Sequence, residues 1–290
     1  MKDSIKREQN ELAYIAEREN LRTKCNSIEF AREVRRLSVE MVFKAKASHI
    51  GGAMSMADIL AVLYTDEMKF EATNPEWDGR DRFVLSKGHA CVSYYATLAL
   101  AGFYPVTDLD TYAQKGSPFL CHILHHVPGV EFSAGSLGHG LPIATGIALA
   151  AQRQNKDYNT YVLLGDGEMD EGSNWEALLF AAHHHLNNLC AIIDYNKIQS
   201  FGDTNKVLNL EPLVNKLRDF NCNVIECDGH NHEELKKAFG LFKNEKDKPT
   251  VIVANTIKGK GVSFMENELA WHYKSPSAEQ YQQAMEELAV

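Results

Sequence analysis

The chain contains no apolar run of about 18 residues, the length a membrane-crossing helix needs, so no spanning segment is expected. Its opening residues, Met1-Lys2-Asp3-Ser4-Ile5-Lys6-Arg7, lack the apolar stretch of a signal peptide. No block of Lys and Arg occurs, and 30 basic against 39 acidic residues leave a formal net charge of −9, a balance unsuited to wholesale nucleic-acid binding. Cysteines stand at 25, 91, 121, 190, 222 and 227 with no C-x-x-C pair, which argues against a disulfide frame or a cysteine zinc site. Reduced thiols without a leader predict a cytoplasmic protein, with neither membrane nor nucleic acid among its partners. No internal repeat and no linker-like stretch is visible, and 44% hydrophobic with 24% charged residues is an ordinary globular composition.

What is present centres on Leu163-Leu164-Gly165-Asp166-Gly167-Glu168-Met169-Asp170-Glu171-Gly172 and on Ile192-Ile193-Asp194-Tyr195-Asn196-Lys197-Ile198 after it. The unbroken apolar run Tyr161 to Leu164 reads as a buried parallel strand. A helix is expected from Ser173 to His185, with Leu178, Leu179 and Ala182 on one face, and then a second strand, Leu189 to Asp194. Such a βαβ unit has a right-handed crossover and presents its strand tips at one edge, where open α/β sheets bind ligands. Gly165 and Gly167 admit close backbone approach, and the N-terminus of the following helix favours an anion. Asp166 and Asn196, thirty residues apart, offer hard oxygen ligands suited to magnesium. Gly-Asp-Gly by itself is an ordinary turn; the strand before it, the helix after it and the Asn at the next strand tip together predict a metal-bridged diphosphate site.

Elsewhere, residues 1–26 are polar and read as an exposed helix or loose arm, with one domain over 27–290. A helix from Ile28 places Ala31, Val34, Leu37, Ser38, Met41 and Val42 on one side. The pair Gly51-Gly52 is expected to break it, with Ser55 capping a further helix, Met56 to Tyr64. Arg80 to Ala90 reads as a short strand ending in Ser-Lys-Gly-His, followed by a helix, Val92 to Ala101, stopped by Gly102. The stretch 104–140 is long and irregular, as working loops are. Its His122, His125 and His126 lack helical metal-ligand spacing, and His183-His184-His185 read as a structural helix end. A polar loop at 200–204, strands near Asn223–Cys227 and Thr250–Asn255, and helices near Pro212–Phe220, Glu233–Lys243 and Ser277–Leu288 complete the alternation. The class is α/β, a doubly wound and mostly parallel sheet of five to six strands with helices on both faces. Taken singly, His49 and His89 read equally well as capping residues.

Gly165-Asp166-Gly167 with Asn196 resembles the thiamine-diphosphate signature, and four more stretches are similar to the transketolases. They are Ala47-Ser48-His49-Ile50-Gly51-Gly52, Arg80 to Ala90, the segment from Pro128 through Gly138, and Lys258 to Asn267 with Trp271-His272. The resemblance implies a thiamine-diphosphate-binding fold in which Asp166, Asn196 and the Ile198 carbonyl hold Mg2+ (or Ca2+ or Mn2+). It implies His49, His122 and His272 as catalytic residues facing the sugar. His89, Gly135, Ser136, Leu137, Gly167, Glu168, Asn196 and His272 would be cofactor-binding, Gly167 through its N–H. Departures surround the sugar end: Leu120-Cys121-His122-Ile123 replaces a Gly-His-Pro-acidic segment, Tyr273 stands where Gly is common, and His139 where Gln is frequent.

The resemblance further implies that an activating glutamate, an aromatic pocket and sugar-phosphate arginines come from a separate C-terminal transketolase subunit in an α2β2 assembly. The expected reaction is transfer of a two-carbon ketol unit from a ketose phosphate to an aldose. Alternatives are the α chain of a 2-oxo acid dehydrogenase, a deoxyxylulose-phosphate-type synthase, and a degenerate thiamine-diphosphate-binding scaffold. Donor and acceptor sugars stay open, sulfo- and branched ketoses included.

Overall fold

The computed structural model describes residues 21–289, so residues 1–20 of the expected arm lie outside the described residues, and the rest of it holds a 3-10 turn, Leu21–Thr23. Five strands form an all-parallel sheet: β1 (Arg82–Leu85), β2 (Thr160–Gly165), β3 (Leu189–Tyr195), β6 (Asn223–Asp228) and β7 (Thr250–Asn255), in the order β1-β2-β3-β7-β6. A separate antiparallel ribbon pairs β4 (Ile198–Gln199) with β5 (Gly202–Asp203). It occupies the stretch expected as a plain polar loop.

Burial explains why the central strands read as continuous apolar runs. Tyr161 and Leu163 enter one core with Cys190 and Ile192, while Val162 and Leu164 enter the opposite core with Ala191 and Ile193. With both faces covered, alternation disappears from the sequence. The first face carries α1 (Ser27–Ala45), α2 (Ile50–Ser55), α3 (Ala57–Val62), α4 (Cys91–Leu100) and, through Leu235, Ala238, Phe239 and Phe242, the helix His232–Asn244. The other carries α5 (Gly140–Arg153), α6 (Gly172–His183) and α8 (Leu213–Asp219), while the short α7 (Thr204–Val207) follows the ribbon. Helix His232–Asn244 is α9, and Ala278–Glu287 is α10. The β2–α6–β3 crossover advances across the sheet while β6–α9–β7 returns, so two right-handed connections lie on opposite faces.

Local departures from expectation have local causes. In α1 the six expected apolar-side residues are all buried, and Asn26 with Glu29 forms a reciprocal capping box. The chain breaks before Gly51 rather than at it: Lys46 (φ 50°) and His49 (φ 69°) take the left-handed turn, and both glycines lie inside α2. Ser55 does not cap; it is buried and bonded to Asp194. The next helix is shorter than Met56–Tyr64, ending at Val62 and relaxing into a wider turn over Leu63–Glu67. Along α6 the buried face is Asn174, Ala177, Leu178, Ala181 and Ala182, whereas Leu179 is exposed.

Leu163→Ala tests the two-sided sheet. Its side chain is fully buried at the centre of β2, so its truncation is expected to lower stability by about 2–5 kcal/mol, read as a shifted urea midpoint with an unchanged slope.

Candidate active site

The tips of β1, β2, β3 and β7 converge on a cleft of about 250 Å³. Beneath it lies a buried ion pair that no sequence pattern announces, Lys87 beyond β1 with Asp194 near the end of β3. Lys87 Nζ also donates to Gly52 O at 2.8 Å. Asp194 accepts further hydrogen bonds from Ser55 Oγ, from Thr256 Oγ1 beyond β7 and, at 3.2 Å, from Asn196 Nδ2. Burial opposes ionisation of Asp194, but the Lys87 charge and these donors outweigh it and hold the carboxyl below its usual range.

Gly165 pairs with Asp194 across the sheet, so Asp166 and Asn196 both emerge at the cleft, as the spacing predicts. Asp166 is buried and accepts from the Gly167 amide at 2.7 Å and from the Lys197 amide. Burial and the nearby Asp194 charge nevertheless raise its carboxyl to about 6. Asn196 Oδ1 accepts from the Ile198 amide at 3.2 Å, and Ile198 O accepts from Lys258 Nζ at 2.7 Å. Among the described residues no three His, Cys, Asp or Glu side chains are grouped to hold a metal. The donors available to a divalent ion are therefore carboxylate, amide and carbonyl oxygens, the set a hard cation prefers, and an ammonium already sits on one of them. The residues fit such an ion. Burial, then the Lys87 charge, lower Lys258 to about 8 against the pull of Asp166 and Asp194.

Helix α6 begins at Gly172, one residue before the expected Ser173, and a tight 3-10 turn, Gly167–Asp170, stands between it and Asp166. Glu168 borders the cleft, but its carboxylate is committed inward, to Ser86 Oγ, to the Gly138 amide at 2.9 Å and to the Gly165 amide at 3.2 Å. Burial raises its pKa, and these three donors only partly offset that.

Four histidines from four segments meet above. The His49 ring centroid is 5.3 Å from His89, 6.1 Å from His122 and 4.9 Å from His272, and His89 lies 5.7 Å from His272. His49 is fixed by its amide, which donates to His272 O at 3.0 Å, and by Ser48 Oγ at 2.9 Å from Nδ1. Gly88 admits the backbone leading into Gly135, because a Cβ there would stand 2.2 Å from Ala134 O. Burial, then the charge of Lys258 and neighbouring His49 and Lys87, take His272 down to about 3. Burial lowers His49 as well, followed by His122 and Lys258, and burial with Lys87 puts His89 well below the usual imidazole value. Near neutral pH these three rings are uncharged, each offering one donor and one acceptor. Gly135 and Leu137 line the cleft; Ser136 is exposed and outside its lining. Lys87, Asp194 and Lys258 are site residues that the sequence patterns miss, although Lys87 sits within Ser-Lys-Gly-His, whose buried strand tip is the available signal.

Residues 27–289 match the family described as "Transketolase, thiamine diphosphate binding domain", so the class is an α/β thiamine-diphosphate-binding domain. The chain belongs to the transketolase family. It is 42% identical over 255 residues to an apulose-4-phosphate transketolase subunit of Phocaeicola vulgatus, covering 88% of this chain and 91% of that one. It is likewise 42% identical to the 6-deoxy-6-sulfo-D-fructose transketolase subunit SqwG of a Clostridium species, covering 89% and 94%. Human transketolase is 36% identical over 259 residues, 89% of this chain but 41% of that protein. The solved transketolase of Campylobacter jejuni superposes with a TM-score of 0.86 at 34% identity, over 90% of this chain and 42% of that one. The chain thus spans about two fifths of the solved transketolases it matches.

Two outcomes follow from the charges. Asp194→Asn leaves the Lys87 ammonium buried without its counter-ion and is expected to lower stability by about 3–5 kcal/mol in denaturant titrations. His272, at about 3 in the fold against 6.5 ordinarily, binds a proton in the unfolded chain that the fold refuses between those values. Its contribution is therefore present above pH 6.5 and is lost as pH falls below it. The wild-type melting temperature should drop relative to His272→Gln between pH 7.5 and pH 5; parallel curves would contradict this.

Proposed function

We propose that the chain is the diphosphate-binding subunit of a two-chain transketolase, moving a two-carbon ketol unit from a ketose phosphate to an aldose acceptor. The observation that carries this is the gathering of His49, His89, His122 and His272 over the Asp166–Asn196 oxygen pair, in one cleft at the sheet's carboxyl edge. Thiamine diphosphate, when bound, supplies the carbanion-stabilising chemistry. Asp166, Asn196 and Ile198 O would hold a divalent cation, magnesium by preference and calcium or manganese as substitutes. The Gly167 amide, with the Glu168 backbone beside it, the Lys258 ammonium and His89 would face the diphosphate. Gly135, Ser136 and Leu137 would border the cofactor rings, Ser136 from its exposed position.

His49, His122 and His272 would orient the sugar hydroxyls and exchange protons with them, for which neutral imidazoles at ordinary pH are suited. Support for a separate partner comes from relatives of matching length that are named as subunits. A C-terminal subunit would bring the activating glutamate and the sugar-phosphate site, in an α2β2 arrangement. The same relatives, named for apulose-4-phosphate and for 6-deoxy-6-sulfo-D-fructose, make a modified or branched ketose a reasonable donor. All six cysteines are free and four are buried, in keeping with a cytoplasmic setting.

Ketol transfer is assayed with the chain alone, the partner alone and both together, with thiamine diphosphate and magnesium. Turnover is expected only from the mixture, and Asp166→Asn should abolish magnesium-dependent cofactor uptake in calorimetry. Full turnover by the isolated chain, or inertness with every cognate partner, would refute the proposal.

A further inference from the structure

A second polar cluster lies behind the cleft, beyond the Ile257–Lys258 turn. Asp58, near the start of α3, is buried, and each carboxylate oxygen accepts twice. Arg35 of α1 forks onto it, with Nη1 3.1 Å from Oδ1 and Nη2 on Oδ2. His232, first residue of α9, reaches Oδ1 through Nε2 at 3.1 Å and Ser27 Oγ through Nδ1 at 2.8 Å. His230 reaches Oδ2 through Nδ1 at 2.6 Å, and its Nε2 accepts the Ile257 amide at 2.8 Å. An amide only donates, so Nε2 carries the lone pair and Nδ1 the proton, which goes to Asp58. The carboxylate thereby fixes the tautomer and ring plane that the Ile257 amide requires. Burial disfavours the charge on Asp58, but Arg35, His230 and His232 together hold the carboxyl well below its usual range.

Ile257 precedes Lys258, whose ammonium lies 2.7 Å from Ile198 O and 3.3 Å from His272 Nδ1 inside the cleft. Neighbouring positions are tied separately: Thr256 by its hydroxyl to Asp194 and its amide to Tyr195 O at 3.2 Å, Lys258 O by Asn267 N at 2.9 Å, Gly259 N by Gly51 O at 2.9 Å, Lys260 N by Ile257 O at 3.2 Å, and Gly261 N by Glu266 Oε1 at 3.0 Å. Gly51 lets the lysine stem pass, since a Cβ there would be 3.1 Å from Lys258 Cγ. At Ile257, the residue next to Lys258, the amide is held by the His230 side chain.

We infer that Asp58 and His230 are positioning residues for the reaction, a carboxylate–imidazole relay that sets where the Lys258 ammonium stands in the cleft. This rests on reading the cleft as the diphosphate site. A buried network that only pinned α1, α3 and the turn after β6 together would treat His230 and His232 alike, because each bonds one oxygen of Asp58. Only His230 passes its contact on to the cleft.

Binding of thiamine diphosphate and of inorganic pyrophosphate, each with magnesium, is measured calorimetrically on the full chain, with a melting temperature beside each value. His230→Ala should weaken binding by about ten-fold or more, the range for lost outer-layer partners. His230→Gln, whose amide can accept from Ile257 while donating to Asp58, should restore most of it. His232→Ala should lower the melting temperature and leave binding unchanged. In a Lys258→Met background, His230→Ala should add no further loss of affinity, a non-additivity that a merely structural residue would not show. Should the alanine variant not fold, His230→Leu, which fills the space without an acceptor, replaces it in the cycle. Wild-type affinity in the variant lacking the acceptor, or equal losses in the His230 and His232 variants, overturns the inference. A wild-type chain that binds neither ligand overturns the cleft assignment beneath it.

Discussion

An ammonium and a carboxylate shut away from water, Lys87 on Asp194, fix how four strand ends meet. An uncompensated charge at that depth is severely unfavourable, so neither partner can drift without the other. Asp194 spends its remaining lone pairs on Ser55 of α2, Thr256 beyond β7 and Asn196 beyond β3. A single carboxylate thus ties the floor of the cleft to helix and sheet at once. The placement of Asn196, and through the strand register that of Asp166, depends on it.

Above that floor the charge pattern runs against the composition of the chain. The protein carries a formal −9, yet the cleft presents two lysines and a ring of histidines, with a carboxyl that ionises reluctantly. Lys87 disfavours the charge on Lys258, and both lysines disfavour charge on His272. Such a site is relieved by an anion and, at Asp166, by a cation. A cation–diphosphate pair brings both together, and the surrounding low-dielectric walls focus its field.

How much of this is legible in the sequence follows from what burial does to patterns. The central strands and the Asp166–Asn196 spacing are readable because β2 and β3 are covered on both faces and end on turn residues. The fold class and most helices follow from the same alternation of elements. The histidines are uninformative one by one, and only resemblance singles them out; their convergence is a fact of topology, which brings residues 49, 89, 122 and 272 to one edge. Gly51 and Gly52 mislead because a glycine pair ordinarily marks a break. Here Gly51 serves close approach of Lys258, Gly52 gives its carbonyl to Lys87, and the chain turns earlier. That the Glu168 carboxylate is engaged by Ser86 and Gly138, far away in sequence, is something no local pattern reveals.

His49 adopts φ 69°, a backbone region that residues bearing a Cβ enter at a penalty on the order of 1 kcal/mol. Glycine or asparagine would occupy the same turn with greater ease. Mutational drift selected for robustness alone would therefore erase this imidazole from the cleft. Laboratory evolution for heat resistance would then remodel the cleft through its backbone, at a turn no ligand needs to touch.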